Sequence, residues 1–238
     1  RSTAGTQDIT GLLFGDGTVT LGAGTTPQLR MTADTLVDVA TGLTATIEAP
    51  ITDNGTSWQL NKTSAGTLVL KGANAYTGAT NVQAGILQLG ASDVIPDTSA
   101  VTLGTGTVLD LADNSDAIGG LTLGSAAAVT IGAGTLTLGG NVVYNGAAAG
   151  ATISGKLDLG ASTRTFTVAA SSAADLTISA DVSSDAGVGL TKSGAGTMVL
   201  SGSNSYDGPT SITAGALVFG KQASLNGGLA NFTPANIT

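Results

Sequence analysis

The sequence predicts an all-β solenoid, a chain wound into stacked turns, and three observations support that prediction. Short segments of alternating apolar and polar residues, each closed by glycine, run along the chain, a pattern typical of β-strands separated by tight turns. Apolar residues nowhere recur at helical spacing over enough length for a helix. A unit of strand, turn and strand at residues 67–90 is repeated at 197–220, and such internal repeats indicate a stacked architecture.

Composition limits the classes of function that the chain can have. Hydrophobic residues make up 42% of the 238 residues and aromatic residues only 3%, so a long core of small and aliphatic side chains is expected. The net charge is −8, and a surface this poor in lysine and arginine offers no footprint for nucleic acid or anionic lipid. The chain has no cysteine and no histidine, which removes disulfides, thiolate metal sites and the usual nucleophile–base pairs. No apolar run approaches the roughly 20 residues of a membrane span, so we expect no membrane insertion of this segment.

The first block, residues 1–90, is predicted to form a series of short strands. Residues 9–24 give four- to five-residue strands separated by Gly or Gly-Asp-Gly. Two more strands are predicted at 28–33 and 35–40, with Leu36, Val37 and Val39 as candidate core residues. Residues 44–51 and 58–62 then lead into the first copy of the repeated unit. No signal-peptide pattern opens the chain, so we expect a signal or an anchor to lie outside this segment.

A connector at residues 91–118 precedes a second block at 119–220 that holds matching segments in the same order. Residues 129–135 resemble 19–25 at an offset of 110, whereas residues 177–182 and 190–192 resemble 46–51 and 60–62 at an offset of about 130. About 20 residues are therefore inserted between 135 and 177. Such an insertion would damage one half of a globular duplication, but a solenoid accepts it as one additional turn. The last residues, 221–238, resemble the beginning of the connector, which predicts the start of a further coil in a longer protein.

The repeated unit is defined by residues that match one for one in its two copies. They are Gly72, Asn74, Tyr76, Gly78, Thr80 and Gly85 in the first copy, and Gly202, Asn204, Tyr206, Gly208, Thr210 and Gly215 in the second. With the flanking stretches 62–80 and 192–210, this unit resembles the autotransporter-associated β-strand repeat of large exported bacterial surface proteins. The resemblance implies a right-handed parallel β-helix, one continuous segment displayed in the extracellular space or at the cell surface. At about 20–25 residues a turn, the chain would make roughly ten coils.

Within each unit the alternation assigns side chains to the core or to the surface. Inward-pointing side chains are expected at Leu68, Leu70, Val82, Leu87, Leu89, Met198, Leu200, Ile212, Leu217 and Phe219. Side chains that face outward or a neighbouring layer are expected at Thr67, Val69, Gln88, Thr197, Val199 and Val218. The motif glycines are expected at corners that need a positive φ. Asn74 and Asn204 are expected at bends, where asparagine tolerates a left-handed backbone and bonds neighbouring backbone groups. Tyr76 and Tyr206 are expected to plug the corner.

The chain's few charged residues give little sign of chemistry. The densest acidic group is Asp110, Asp113 and Asp116, which could bind Ca²⁺ through oxygen atoms, although the spacing is not that of an EF-hand and solvated turn residues are the alternative. Lys62 and Lys192, which recur before the glycine-rich turn, are expected to be surface charges. Polysaccharide-cleaving β-helices need a cluster of carboxylates on one face, and here the acids are scattered. We therefore predict no catalytic residue and no cofactor.

These observations lead to a structural function, with two alternatives left open. The leading hypothesis is a rigid stalk or adhesive display segment of a large bacterial surface or secreted protein, whose partners are the neighbouring coils of the same protein. The first alternative is a filament subunit, because open strand edges at the ends of a solenoid are templates for end-to-end pairing. Host or biofilm glycans are a further candidate partner. The second alternative, an enzyme acting on polysaccharide, has the least support from the residues.

Overall fold

The computed structural model describes residues 5–17, 19–22, 28–171 and 174–220, and within these ranges every regular element is a β-strand. The first half of the chain contains β1 (Gln7–Phe14), β2 (Val19–Leu21), β3 (Leu29–Val39), β4 (Thr44–Ile47), β5 (Ile51–Asp53), β6 (Leu60–Thr63), β7 (Thr67–Leu70), β8 (Thr80–Val82), β9 (Ile86–Leu89), β10 (Val101–Leu103), β11 (Val108–Asp110) and β12 (Asp116–Ile118). The second half contains β13 (Leu121–Leu123), β14 (Ala128–Thr130), β15 (Leu136–Leu138), β16 (Val142–Tyr144), β17 (Ala151–Ser154), β18 (Lys156–Asp158), β19 (Arg164–Val168), β20 (Leu176–Ile178), β21 (Asp181–Ser183), β22 (Leu190–Ser193), β23 (Thr197–Leu200), β24 (Thr210–Ile212) and β25 (Ala216–Phe219). The predicted further coil at 221–238 lies outside the described residues. No helix in the described part of the chain is long and apolar enough to cross a membrane.

The strands form three sheets, and every pairing between them is parallel. Sheet A has 11 strands, ten of them in the order β1-β3-β6-β8-β10-β13-β16-β19-β22-β24, with β5 paired to β3. Sheet B has 10 strands in the order β2-β4-β7-β9-β11-β14-β17-β20-β23-β25, and sheet C has 4 in the order β12-β15-β18-β21. Each turn of the chain therefore adds one strand to sheet A and one to sheet B. The architecture is a parallel β-solenoid of about nine turns, which confirms the predicted fold class.

The inserted residues in the second block form one additional turn. In the first block, sheet B passes from β2 through β4 to β7. In the second block, the matching path runs from β14 through both β17 and β20 to β23. The insertion leaves the neighbouring turns in register because each turn contacts only the turns beside it.

The register places identical positions of successive turns above one another along the core. Val101 of sheet A pairs with Leu121, and Leu121 pairs with Val142. All three side chains are at most 1% exposed. The core is therefore a continuous column of aliphatic side chains that runs the length of the described solenoid.

Leu36, which the sequence predicts to be in the core, lies on the outer face of its strand. Val37 and Val39 are fully buried, but Leu36 between them is 49% exposed. Side chains alternate between the two faces of a strand, so Leu36 cannot share the inward face with its neighbours. In the last described turn, the expected core residues Ile212, Leu217 and Phe219 are only partly buried, whereas Met198 and Leu200 in the turn before are completely buried.

Candidate functional site

The first copy of the repeated unit contributes the third and fourth strands along sheet A, and the second copy contributes the last two. The first copy comprises β6 to β9 and the second comprises β22 to β25. In each copy a sheet A strand and a sheet B strand are followed by a corner segment, which then leads into the next turn. The polar side chains that the two copies share lie in this corner or on the strands of the unit, and their contacts define the candidate site.

The tyrosines close the corner from inside. Tyr76 is 1% exposed and its hydroxyl is 2.6 Å from the hydroxyl of Thr80. Tyr206 is completely buried and its hydroxyl is 2.8 Å from that of Thr210. Burial raises the pKa of both phenols above the usual value for tyrosine. Both tyrosines are therefore neutral, hydrogen-bonded and out of reach of a ligand in solution.

In the first copy the tyrosine begins a buried chain of hydroxyl groups. The Thr80 hydroxyl lies 2.9 Å from that of Ser99, one turn further along. The Ser99 hydroxyl in turn donates to the carbonyl of Gly78 at 2.9 Å. Sequence reasoning missed Ser99, because nothing in the second copy marks that position.

Asparagine side chains tie successive turns together at the same corner. The Oδ1 atom of Asn74 accepts a hydrogen bond from the backbone N–H of Ile51 at 2.7 Å, and its Nδ2 donates to the carbonyl of Val94 at 2.7 Å. One side chain therefore joins three turns. Asn204 accepts from the N–H of Val182 at 3.1 Å. Neither asparagine has a positive φ, so neither uses the tolerance of asparagine for a left-handed backbone. The expected bonds to neighbouring backbone groups are present at both positions.

The motif glycines have two different physical roles. Gly85 and Gly215 have φ values of 73° and 70°, the left-handed region that glycine adopts without strain. The other four do not have a positive φ, and the prediction of one is wrong for Gly72, Gly78, Gly202 and Gly208. At these positions an added Cβ would collide with the backbone of the turn before, at 2.5 Å from the Ala49 carbonyl oxygen in the case of Gly72. These glycines are required because adjacent turns approach too closely for any side chain.

The recurring lysines are not surface charges, and that prediction is wrong. Lys62 and Lys192 are at most 1% exposed. Lys62 points inward because it pairs with Val37 on one side and Val82 on the other, both of which are core positions. The alternation of side chains along the strand predicts the inward position of Lys62, since Leu60 and Lys62 are two residues apart and must share a face.

Each buried ammonium group is bound by three backbone carbonyls. The Nζ atom of Lys62 donates to Thr63, Ser64 and Ala84 at 2.8, 2.7 and 3.1 Å. The Nζ atom of Lys192 donates to Ser193, Gly194 and Ala214 at 2.8, 2.7 and 3.1 Å. Burial lowers the pKa of Lys62 to about 8, which nearby Asp38 partly opposes. The third carbonyl belongs to the next turn in both copies, so each lysine fastens one turn to the next.

The three aspartates proposed for Ca²⁺ do not converge on one point. Asp110 accepts hydrogen bonds from the Gln88 side chain and from the N–H of Ala112. Asp113 accepts from the N–H of Ala133 at 2.8 Å, and Asp116 is buried on the other side of the turn. Across the described ranges, no group of three acidic, histidine or cysteine side chains is placed to hold a metal ion.

Asp116 is instead a buried structural carboxyl group that sequence reasoning placed at the surface of a turn. It is 3% exposed, and its Oδ2 atom accepts from the N–H groups of Val94 and Ile95 at 2.9 and 3.2 Å. Its Oδ1 atom is buried without a hydrogen-bond partner. Burial raises the pKa of Asp116 to about 6, although hydrogen bonds from backbone N–H groups, those of Ile95 and Val94 foremost, act to lower it.

Comparison with known proteins agrees with the geometry of these two turns. The family model of the passenger-associated-transport-repeat matches residues 60–89 and 190–219, which are the turns that carry the buried lysine, asparagine and tyrosine. The chain is therefore a parallel β-solenoid with two passenger-associated transport repeats, and the predicted autotransporter-type resemblance is confirmed.

A named relative extends the similarity beyond the two repeats. The chain is 30% identical over 209 residues to the adhesin BmaC autotransporter of Brucella suis biovar 1 (strain 1330). The match covers 87% of this chain and 5% of the relative, so the chain corresponds to about one twentieth of that protein's length. No solved structure matches the chain.

Proposed function

We propose that this chain is a rigid structural segment of a large secreted or surface-exposed bacterial protein, and that it holds adhesive parts of that protein away from the cell. The observation that supports this best is the repeated unit, in which Lys62 and Asn74 join successive turns and Tyr76 fills the corner, and in which all three residues recur 130 positions later. Lys62 and Tyr76 are buried and Asn74 is partly buried. All three side chains are hydrogen-bonded within the rod, so their role is to stabilise it rather than to bind a ligand. The relative named as an adhesin autotransporter supports the surface location and the adhesive setting.

The dimensions of the solenoid suit such a role. Turns of a β-solenoid are spaced about 4.8 Å apart along the axis, so the described turns form a rod about 40 Å long. A flexible linker of the same number of residues would sample many conformations. A wound segment instead fixes both the distance and the direction between whatever precedes and follows it.

The experiment that tests the proposal compares three versions of the parent protein on bacterial cells. One carries the native segment, one lacks it, and one replaces it by a Gly/Ser linker of equal length. Surface amounts are matched by antibody labelling, and attachment to a target surface is measured under flow. We expect attachment to fall in both altered versions. Unchanged attachment with the flexible linker would contradict the proposed role of rigidity.

End-to-end assembly and glycan binding stay predictions. Sedimentation of the chain over a range of concentrations tests the first prediction, and a glycan array tests the second.

A further inference from the structure

The loop of residues 54–59, between β5 and β6, contains an Asn-x-Thr motif, Asn54-Gly55-Thr56. This motif, with any residue except proline in the middle, is the acceptor sequence for attachment of a sugar to the asparagine amide. All three residues are exposed, and Gly55 turns the chain with a φ of 86°. An enzyme can therefore reach both the asparagine and the threonine in the folded chain.

The single tryptophan of the chain orients the Asn54 side chain. The Nε1 atom of Trp58, which is partly buried against the core, donates to the Oδ1 atom of Asn54 at 3.1 Å. An indole N–H can only donate, so the amide atom that faces it is the oxygen. The nitrogen, Nδ2, is the atom that takes a sugar, and it lies at the other end of the amide group.

The equivalent loop of the second copy shows that the fold does not need this motif. Residues 184–189 connect β21 to β22, just as residues 54–59 connect β5 to β6. At the offset of 130, the positions of Asn54, Thr56 and Trp58 are occupied by Ser184, Ala186 and Val188. A loop of the same length therefore forms without asparagine, threonine or tryptophan.

A second motif, Asn61-Lys62-Thr63, lies inside β6 and provides a contrast. Asn61 has a parallel partner strand on each side, and its Oδ1 atom accepts from the side chain of Asn81 at 3.0 Å. The Thr63 hydroxyl donates to the carboxylate of Asp38 at 3.0 Å. In the folded chain this motif is held within the sheet and is not presented to an enzyme. Two further motifs, at 231–233 and 236–238, lie outside the described residues.

From these observations we propose that Asn54 is a site of N-linked glycosylation and that Asn61 is not. The donor is a sugar whose anomeric carbon is activated by a phosphate ester, linked either to a nucleotide or to a lipid. The Nδ2 atom forms a bond to the anomeric carbon, while the bond from that carbon to the phosphate oxygen breaks and the leaving phosphate keeps the electron pair. Nδ2 loses one proton to a base of the transferase, so the reaction needs no oxidant or reductant.

Mass spectrometry of the parent protein, purified from the bacterium that makes it, tests the proposal. Trypsin cleaves after Arg30 and Lys62 and releases residues 31–62, a peptide that contains both Asn54 and Asn61. Fragmentation of this one peptide locates any added sugar. We expect a sugar on Asn54 and none on Asn61. An unmodified Asn54, or equal modification of the two asparagines, would overturn the proposal.

Two variants test whether the threonine of the motif is recognised. Thr56→Ala removes the hydroxyl, and alanine already occupies the corresponding position of the second copy, at Ala186. Thr56→Ser keeps a hydroxyl and therefore keeps the motif. We expect the sugar to be lost in Thr56→Ala and retained in Thr56→Ser. A sugar that persists on Asn54 in Thr56→Ala would show that attachment does not depend on the motif and would overturn the proposal.

A reaction with the purified chain identifies the source of the sugar. Unmodified chain is mixed either with the soluble fraction of the parent bacterium and a nucleotide-linked sugar, or with its membrane fraction, which holds lipid-linked sugars. Transfer to Asn54 in one of the two mixtures supports the proposal and identifies the donor, and transfer in neither would overturn it. The proposal goes beyond the stalk role, and its failure would leave that role untouched, because the stalk role is tested by linker replacement.

Discussion

The Nζ atom of Lys62 lies 3.1 Å from the carbonyl oxygen of Ala84, 22 positions later and one turn further along the solenoid. Lys192 and Ala214 repeat this relationship at the same distance. Two further carbonyls, from residues directly after the lysine, complete the set of acceptors in each copy. A charged group buried in a core is costly unless it is fully hydrogen-bonded, and these ammonium groups meet that condition.

We predict that Lys62→Met destabilises the solenoid by about 1–3 kcal/mol. The methionine fills a similar volume, but three carbonyls lose their donor, and each unsatisfied buried acceptor carries a cost of that order. Methionine carries no charge, so the desolvation cost of the buried ammonium group disappears, and this offsets part of the loss. Chemical denaturation followed by circular dichroism measures the change. Lys71→Met is the control, because Lys71 is 45% exposed and its ion pair with Glu48 lies at the surface. A Lys62→Met protein as stable as the parent would show that the ammonium group is only tolerated.

Asn74 provides a second prediction about the links between turns. Asn74→Ala removes both the acceptor of the Ile51 N–H and the donor to the Val94 carbonyl. We expect a loss of about 1–3 kcal/mol in the free energy of unfolding, because two partly buried backbone groups are left unpaired. Asn145→Ala, at an exposed position, is the control and should change stability by less than about 0.5 kcal/mol. Equal effects at the two positions would contradict the role assigned to Asn74.

The two repeats show how much of the fold can be predicted from the sequence. The alternation at Leu68 and Leu70 identifies core positions, and the change in offset between the two blocks predicts the additional turn. Both predictions rest on local spacing, which a parallel solenoid converts directly into position because every turn repeats the same path.

The errors at Gly78 and Asp116 and the missed acceptors of Lys62 have a common physical cause, since they concern contacts between turns. The need for glycine at Gly78 comes from the carbonyl of Trp58, and the acceptors of Lys62 include a residue of the next turn. Residue type gave the wrong answer for Lys62, where position in the alternation would have given the right one. Asp116 belongs to the same group, because its partners Val94 and Ile95 are more than 20 residues away.

The buried carboxyl of Asp116 predicts a dependence of stability on pH. Burial raises its pKa to about 6 in the folded chain, whereas the ordinary value in an unfolded chain is about 3.9. Between these values the folded state binds more protons, so the free energy of unfolding falls as pH rises through this window, by up to about 3 kcal/mol. Denaturation at several pH values from about 3.5 to 7 measures the slope.

Asp116→Asn is the variant that assigns this slope to one residue. The amide oxygen can still accept from Val94 and Ile95, but the side chain no longer titrates. We expect the dependence on pH between about 4 and 6 to flatten. Asp185→Asn, at an exposed loop position, controls for the loss of a carboxyl group elsewhere. An unchanged slope in Asp116→Asn would mean that other groups carry the dependence.

Close packing between turns predicts that Gly78 cannot be replaced, although its backbone conformation would allow a side chain. An added Cβ would collide with the carbonyl group of Trp58 in the turn before. Because the obstacle is backbone, Gly78→Ala has to push two turns apart, and we expect a loss of about 2–4 kcal/mol, in the range of severe overpacking. Gly15→Ala is the matched control, since nothing lies within 4 Å of its Cβ and its φ is not positive. There alanine should be neutral or slightly stabilising, because it reduces the freedom of the unfolded chain. Thermal unfolding of the two variants side by side decides the matter, and a Gly78→Ala protein as stable as Gly15→Ala would show that the turns can separate without cost.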